Sequence, residues 1–240
     1  MASPLDQFRI ETLVPMRIGN IDASFTNSSL WMVIAITVIT LFLTLSVRHR
    51  QLIPGRLQSI AELGYEFVAN MIRANVGPGG RPYFPFIFSL FMFILLGNIL
   101  GLIPYSFTYT SHIIVTFGMA IVVFIGTTVI AFAKHGVKFF RFFLPHGTPV
   151  FIAPVLVPIE ILSYFTRPVS LSLRLFANMT AGHTLLKVFG GFVFALGFLG
   201  FIPLAANIAL FGLEFLVAFL QAYVFAVLSC IYLHDALHMH

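Results

Sequence analysis

Arg174 sits between Leu173 and Leu175 in the stretch "SLSLRLFANM", with Phe176 just beyond. Its guanidinium stays charged at any physiological pH and presents a rigid fork of donors suited to a carboxylate. At mid-bilayer such a charge costs about 3 kcal/mol on insertion scales. Lys187, which marks the nearer end of the segment, is too far along for Arg174 to snorkel to water. The chemistry that fits is electrostatic: holding an anion or repelling a proton, in a water-filled cavity or beside a carboxylate. A structural ion pair with Glu160 or Glu214 is the competing reading.

Spacing sharpens the choice. At 100° per residue, Asn178 projects within about 40° of Arg174 on a helix, and Glu160 does too if the helix survives Pro168. Tyr164 projects within about 80° and His183 about 180° away, so one segment presents polar groups in two directions. Farther on, Asn207, Glu214 and Gln221 recur every seven residues and drift only about 20° per step. They form one polar stripe on an apolar helix. A seam of interhelical hydrogen bonds, each worth about 0.6–2 kcal/mol, would also use such a stripe. His183 and Glu214 are the better pair for passing protons, because imidazole exchanges them near neutrality.

The elements that carry these groups are membrane helices. Hydrophobic residues make up 59% of the 240 and charged ones 9%, and the mean hydropathy is +1.01. A soluble domain could not cover that surface with polar groups. Runs without apolar–polar alternation exclude a β-barrel. A lone Cys230 excludes a disulfide framework. Neither a phosphate-binding loop nor a Ser/His/Asp arrangement is visible, so no catalytic residue, metal or cofactor is expected. The net charge of +5 gathers in short clusters at the ends of apolar runs, which orients helices and requires no nucleic acid.

The expected fold is therefore an all-α integral membrane protein with about five crossing helices and one amphipathic surface helix. Residues 1–29 form an N-terminal extramembrane segment and 30–240 the membrane domain. Crossings are expected at roughly 30–47, 83–104, 113–133, 158–187 and 190–233, with the surface helix at roughly 53–76. The basic clusters Arg48–Arg50 and Lys134, Lys138 and Arg141 fall on one side, the cytoplasmic one, which leaves the N-terminus outside. The span 190–233 would make a helix about 66 Å long, against about 30 Å of hydrocarbon. Either it is a hairpin of two short helices or one helix at a steep tilt. "LGFIPLAAN" offers only Gly200 and Pro203 for a turn, which favours the tilt. His112, His135 and His146 read as loop or interface residues. The final "HDALHMH" has metal-binding spacings but reads as a solvated tail.

"RPVSLSLRLFANMTAGH", the preceding "PIEILSYFT", "GNILGLIPY" and "LEFLVAFLQAYVFAVLSCIYL" resemble the subunit a family of the F-type ATP synthases. The opening "SPLDQF" is similar to mitochondrial and alphaproteobacterial members, and the resemblance covers nearly the whole chain. It implies a proton-conducting stator with two offset half-channels, serving the carboxylates of a rotating c-subunit ring and coupling proton flow to ATP synthesis. It also implies that the last two helices are long and steeply tilted. By that resemblance Arg174 faces the ring and separates the half-channels. Glu214, His183, Asn178, Gln221 and Asn98 belong to the positive-side half-channel, with Asn207 a weaker candidate. Glu160 and Tyr164 belong to the negative-side one. Enteric-bacterial members carry an acidic residue where His183 stands and a histidine where Glu214 stands.

The implied partners are the c-subunit ring, peripheral-stalk b-type subunits, the remainder of the ATP synthase complex and the lipid bilayer. The implied location is the bacterial inner membrane, with the mitochondrial inner membrane as the alternative. A different functional class, a secondary transporter whose Arg174 binds an anionic substrate, would require inverted repeats. None is visible, and the odd number of crossings counts against it.

Overall fold

The computed structural model describes residues 8–18, 21–22, 24–48, 51, 53–103, 106–136, 139 and 153–238. His49, Arg50, Lys138, Arg141, His146 and residues 3–7 of the opening motif lie outside them.

The architecture is all-α, prefaced by two short antiparallel pairings. β1 (Thr12–Val14) pairs with β4 (Phe25–Thr26), and β2 (Arg17–Ile18) pairs with β3 (Ile21–Asp22) inside it. This hairpin leads into α1 (Asn27–Arg48). Thr26 caps the helix, its Oγ1 accepting from the Ser29 backbone at 3.4 Å, as a Thr at that position should. Asn27 ties the N-terminal segment down. Its Oδ1 accepts from Glu11 N–H at 3.2 Å and its Nδ2 donates to the Arg9 carbonyl at 3.0 Å.

α2 (Arg56–Asn75) is the amphipathic helix. Its last turns bury Val68, Met71 and Ile72, whereas Leu57, Ile60 and Leu63 remain exposed. A half-packed apolar face of this kind suits a helix lying along a membrane surface. α3 (Phe84–Gly101) follows, with Pro85 in its first turn where no helical N–H is lost. α4 (Ile113–His135) runs back. α5 (Ala153–Ala195) and α6 (Phe201–Leu237) are joined by a 3₁₀ turn, Gly197–Gly200, which Gly197 opens at φ +52°. The division between the long helices thus falls ahead of Phe201, where the expected division lay between residues 187 and 190. A positive φ open to glycine makes the turn without polar residues.

α5 continues through Pro158 and Pro168. With 43 residues it is about 64 Å long, and α6 with 37 is about 56 Å. Both far exceed about 30 Å of hydrocarbon, so both run obliquely. Among the described residues four helical stretches, Asn27–Arg48, Pro78–Gly101, Ile113–His135 and Gly197–Leu237, are long and apolar enough to cross a membrane. α5 has the length and falls short in apolarity. It carries Glu160, Arg167, Arg174, His183 and Lys187, and those are the groups that the site needs.

The core lies where α6 meets α3 and α5, with Phe225, Leu171, Leu175, Met179 and Ile94 among its fully buried side chains. The motif "GNILG" has a steric purpose in this packing. Gly97 lies under the Tyr109 ring and Gly101 under the Thr108 side chain, so a β-carbon at either would collide. The loop after α3 is thereby seated on the helix, and the Tyr109 hydroxyl fixes it by donating to the Phe93 carbonyl at 2.8 Å.

Candidate functional site

α5 and α6 run antiparallel, and polar residues face one another at three places along their seam. Arg167 Nη1 meets Asp235 Oδ2 at 3.0 Å. Asn178 Nδ2 donates to Gln221 Oε1 at 2.9 Å. His183 Nε2 stands 3.8 Å from Glu214 Oε1. Glu214 and Gln221 of the seven-residue stripe on α6 therefore meet polar residues of α5.

Glu214 and His183 are both buried, with relative exposures of 5% and 8%. The glutamate carboxylate lies directly over Gly182, in space that any β-carbon would fill. Its Oε1 accepts no hydrogen bond among the described residues. The imidazole Nε2 also lies 3.1 Å from Thr108 Oγ1. His183 and Thr108 line a cleft of about 860 Å³, which Arg9, Glu11, Lys187 and Asn207 also line, and Glu214 lies beside His183 outside the cleft wall. Trp31 of α1 lines it too, so the cleft opens at the Asn27 end of the bundle, away from Arg48 and Lys134. Asn98 is fully buried, holding the Ala218 carbonyl at 3.1 Å and accepting from Thr110 Oγ1 at 2.8 Å. It links α3, the loop and α6, and it is not part of the cleft wall.

Arg174 projects outward. It is exposed, as is Asn178 one turn later, and it has no carboxylate within ion-pair distance among the described residues. The competing reading, a pair with Glu160 or Glu214, is absent there. His183, half a helical turn away in projection, points into the bundle, so the two polar faces of the segment are real.

At the opposite end of the seam a second polar cluster surrounds Arg167. Its guanidinium lies 5.4 Å from the Tyr164 ring centre and 5.2 Å from that of Tyr232, a cation sandwiched by aromatic faces. The Tyr164 hydroxyl bonds Thr128 at 2.7 Å. These side chains enclose a cavity of about 20 Å³, room for about one water. Glu160, one turn before Tyr164, is half-buried and does not line it.

Sequence reasoning passed over Arg167 with Asp235, and also Thr108 and Gly182. Asp235 had a signal: beyond residue 100 the only carboxylates are Glu160, Glu214 and Asp235. It was hidden inside "HDALHMH", which is not a solvated tail as far as His238. It is the last turn of α6 and its cap, with the His234 and His238 rings stacked at 4.6 Å. Thr108 and Gly182 gave none, since a loop threonine and a helical glycine have no period.

The family described as ATP synthase A chain matches residues 29–234. A protein named ATP synthase subunit a from Paramagnetospirillum magneticum is 62% identical over 247 aligned positions, covering all of both chains. Another of that name from Rhodospirillum rubrum is 55% identical over 241, again covering all of both. A third, from Pelagibacter ubique, is 54% identical over 240, covering 99% of this chain and 98% of its own. With the matched family spanning α1 to α5 from residue 29 and α6 up to residue 234, the chain belongs to the ATP synthase A chain family, a membrane-sector subunit of ATP synthase.

Proposed function

We propose that the chain is the proton-conducting stator of the ATP synthase membrane sector, with Arg174 standing between two offset aqueous half-channels. The observation that carries this reading is the outward Arg174, without an ion-pair partner among the described residues, placed along the seam between two separate polar sites. One is the cleft that reaches His183, with Glu214 next to that imidazole, Asn178, Gln221 and Asn207 along the seam and Asn98 supporting it. The other is the cluster around Tyr164, with Glu160 one turn away. A ring of c subunits is the partner that explains an exposed guanidinium on an apolar helix. Peripheral-stalk b-type subunits and a bacterial inner membrane complete the setting.

A ring carboxylate facing lipid must be neutral, because its charge there costs several kcal/mol. Beside Arg174 it ionises, since a guanidinium nearby stabilises the anion. Protons then reach or leave it only through the flanking aqueous paths. A fixed positive charge also resists a proton crossing directly. Two unit charges 4 Å apart repel by about 4 kcal/mol at an effective dielectric of 20, a suppression of about a thousandfold. The driving force is about 2.3 kcal/mol per charge per 100 mV.

Arg174→Ala tests this. Energised membranes carrying the variant should make ATP at under about 1% of the normal rate, a barrier increase of roughly 3 kcal/mol. Synthesis at the normal rate would refute the assignment. In a Cys230→Ser background, Ala177→Cys, on the exposed face beside Arg174, should cross-link to a cysteine placed next to the ring carboxylate.

A further inference from the structure

We infer that Thr108 is a positioning residue for His183, and that its hydroxyl passes protons between the cleft and the imidazole. The inference rests on the cleft being a proton path, as proposed above. Thr108 Oγ1 and His183 Nε2 share a hydrogen bond of 3.1 Å, and the same nitrogen stands 3.8 Å from Glu214 Oε1. One ring nitrogen therefore has two rival partners. It is bonded to the hydroxyl, while the carboxylate oxygen has no hydrogen-bond partner among the described residues. Proton transfer needs heavy atoms about 2.6–3.2 Å apart. The ring must leave Thr108 and swing toward Glu214 for the last step.

Thr108 is held still for this purpose. Its side chain sits against Gly101, where a β-carbon would collide with it. Its carbonyl accepts from Ser111 Oγ at 2.6 Å, and the Ser111 carbonyl accepts from Thr180 Oγ1 of α5 at 3.3 Å. The loop is thus tied to the helix that carries His183. Thr108 also lines the cleft, so one residue borders the cleft and bonds the ring.

The proton count closes. A proton from the cleft is accepted by Oγ1 as the hydroxyl's own proton passes to Nε2, so the hydroxyl is regenerated and the imidazole gains one proton. The ring then turns, Nε2 releases that proton to Glu214 Oε1, and the imidazole returns to neutral. The charged and titratable groups around the ring are Glu214 on α6, Lys187 one turn later on α5, and Arg9 and Glu11 across the cleft.

The test is passive proton uptake, driven by a potassium diffusion potential, in vesicles bearing the membrane sector. Rates are expressed per assembled complex, so loss of assembly does not enter them. Thr108→Val should slow uptake about tenfold, less than the roughly hundredfold of a lost acid–base group because cleft water still reaches His183, and Thr108→Ser should restore it to within about twofold. If Thr108→Val conducts at the normal rate while Glu214→Gln is slow, the inference fails and the path stands. If both conduct normally, the path itself is refuted. If Thr108→Ser is as slow as Thr108→Val, packing and not the hydroxyl matters, and the inference fails.

Discussion

Toward the Asn27 end of the bundle the α5–α6 seam opens on a cleft of about 860 Å³. There Glu214 presents an oxygen with no hydrogen-bond partner among the described residues. Toward the Arg48 end the same seam encloses about 20 Å³, and Arg167 is tied to Asp235 at 3.0 Å between two tyrosine rings. The two clusters share their helices and differ in how far their polar groups are satisfied. A buried polar group lacking a partner is expensive, and such groups persist where an element must remain available for another partner. A satisfied ion pair fixes geometry. On the proposed reading the open cluster is where protons transfer, while at the closed one the Arg167–Asp235 pair clamps the two helices beside Tyr164.

Glu214→Gln gives the largest expected effect. It keeps the shape over Gly182 and removes the ionisable proton, so passive uptake should fall about a hundredfold with the complex assembled. Loss of the subunit from the membrane would place Glu214 among the structural residues instead. Gly182→Ala comes next. Its β-carbon would occupy the carboxylate's position and should push Glu214 off His183, slowing uptake about tenfold, since misplacement of order 1 Å weakens transfer strongly. An unchanged rate would mean that the carboxylate relocates freely. The smallest effect belongs to the clamp. Arg167→Met or Asp235→Leu alone should destabilise the purified subunit complex by about 1–2 kcal/mol, and the double variant should recover most of it, read as a double-mutant cycle in thermal melts. Equal loss in singles and double would contradict the clamp.

The difference between the clusters also explains what the amino-acid order revealed. Asn207, Glu214 and Gln221 stand out because helical geometry forces their spacing onto one face. The same rule placed Asn178 beside Arg174 and His183 behind it. Periodicity reads single helices well. It says nothing about which residue of α5 meets which of α6, so Arg167 and Asp235, 68 positions apart, stayed unlinked. Gly101 and Gly182 matter through the side chains they admit, and a missing side chain leaves no pattern to detect. The turn at Gly197–Gly200 was obscured for a related reason. Its flanks are as apolar as the helices, and only the sign of one φ angle sets it apart.

The register along the seam governs how the chain tolerates changes in length. Arg167, Asn178 and His183 face Asp235, Gln221 and Glu214 across one turn. An added residue within Gly197–Gly200 leaves each of those pairings where it is, because both helices keep their phase. One inserted between Asn178 and His183 rotates everything beyond it by about 100° and advances it about 1.5 Å, turning the imidazole away from its carboxylate. The hinge region is therefore free to lengthen, while the helices behave as ruled scales whose marks must continue to coincide.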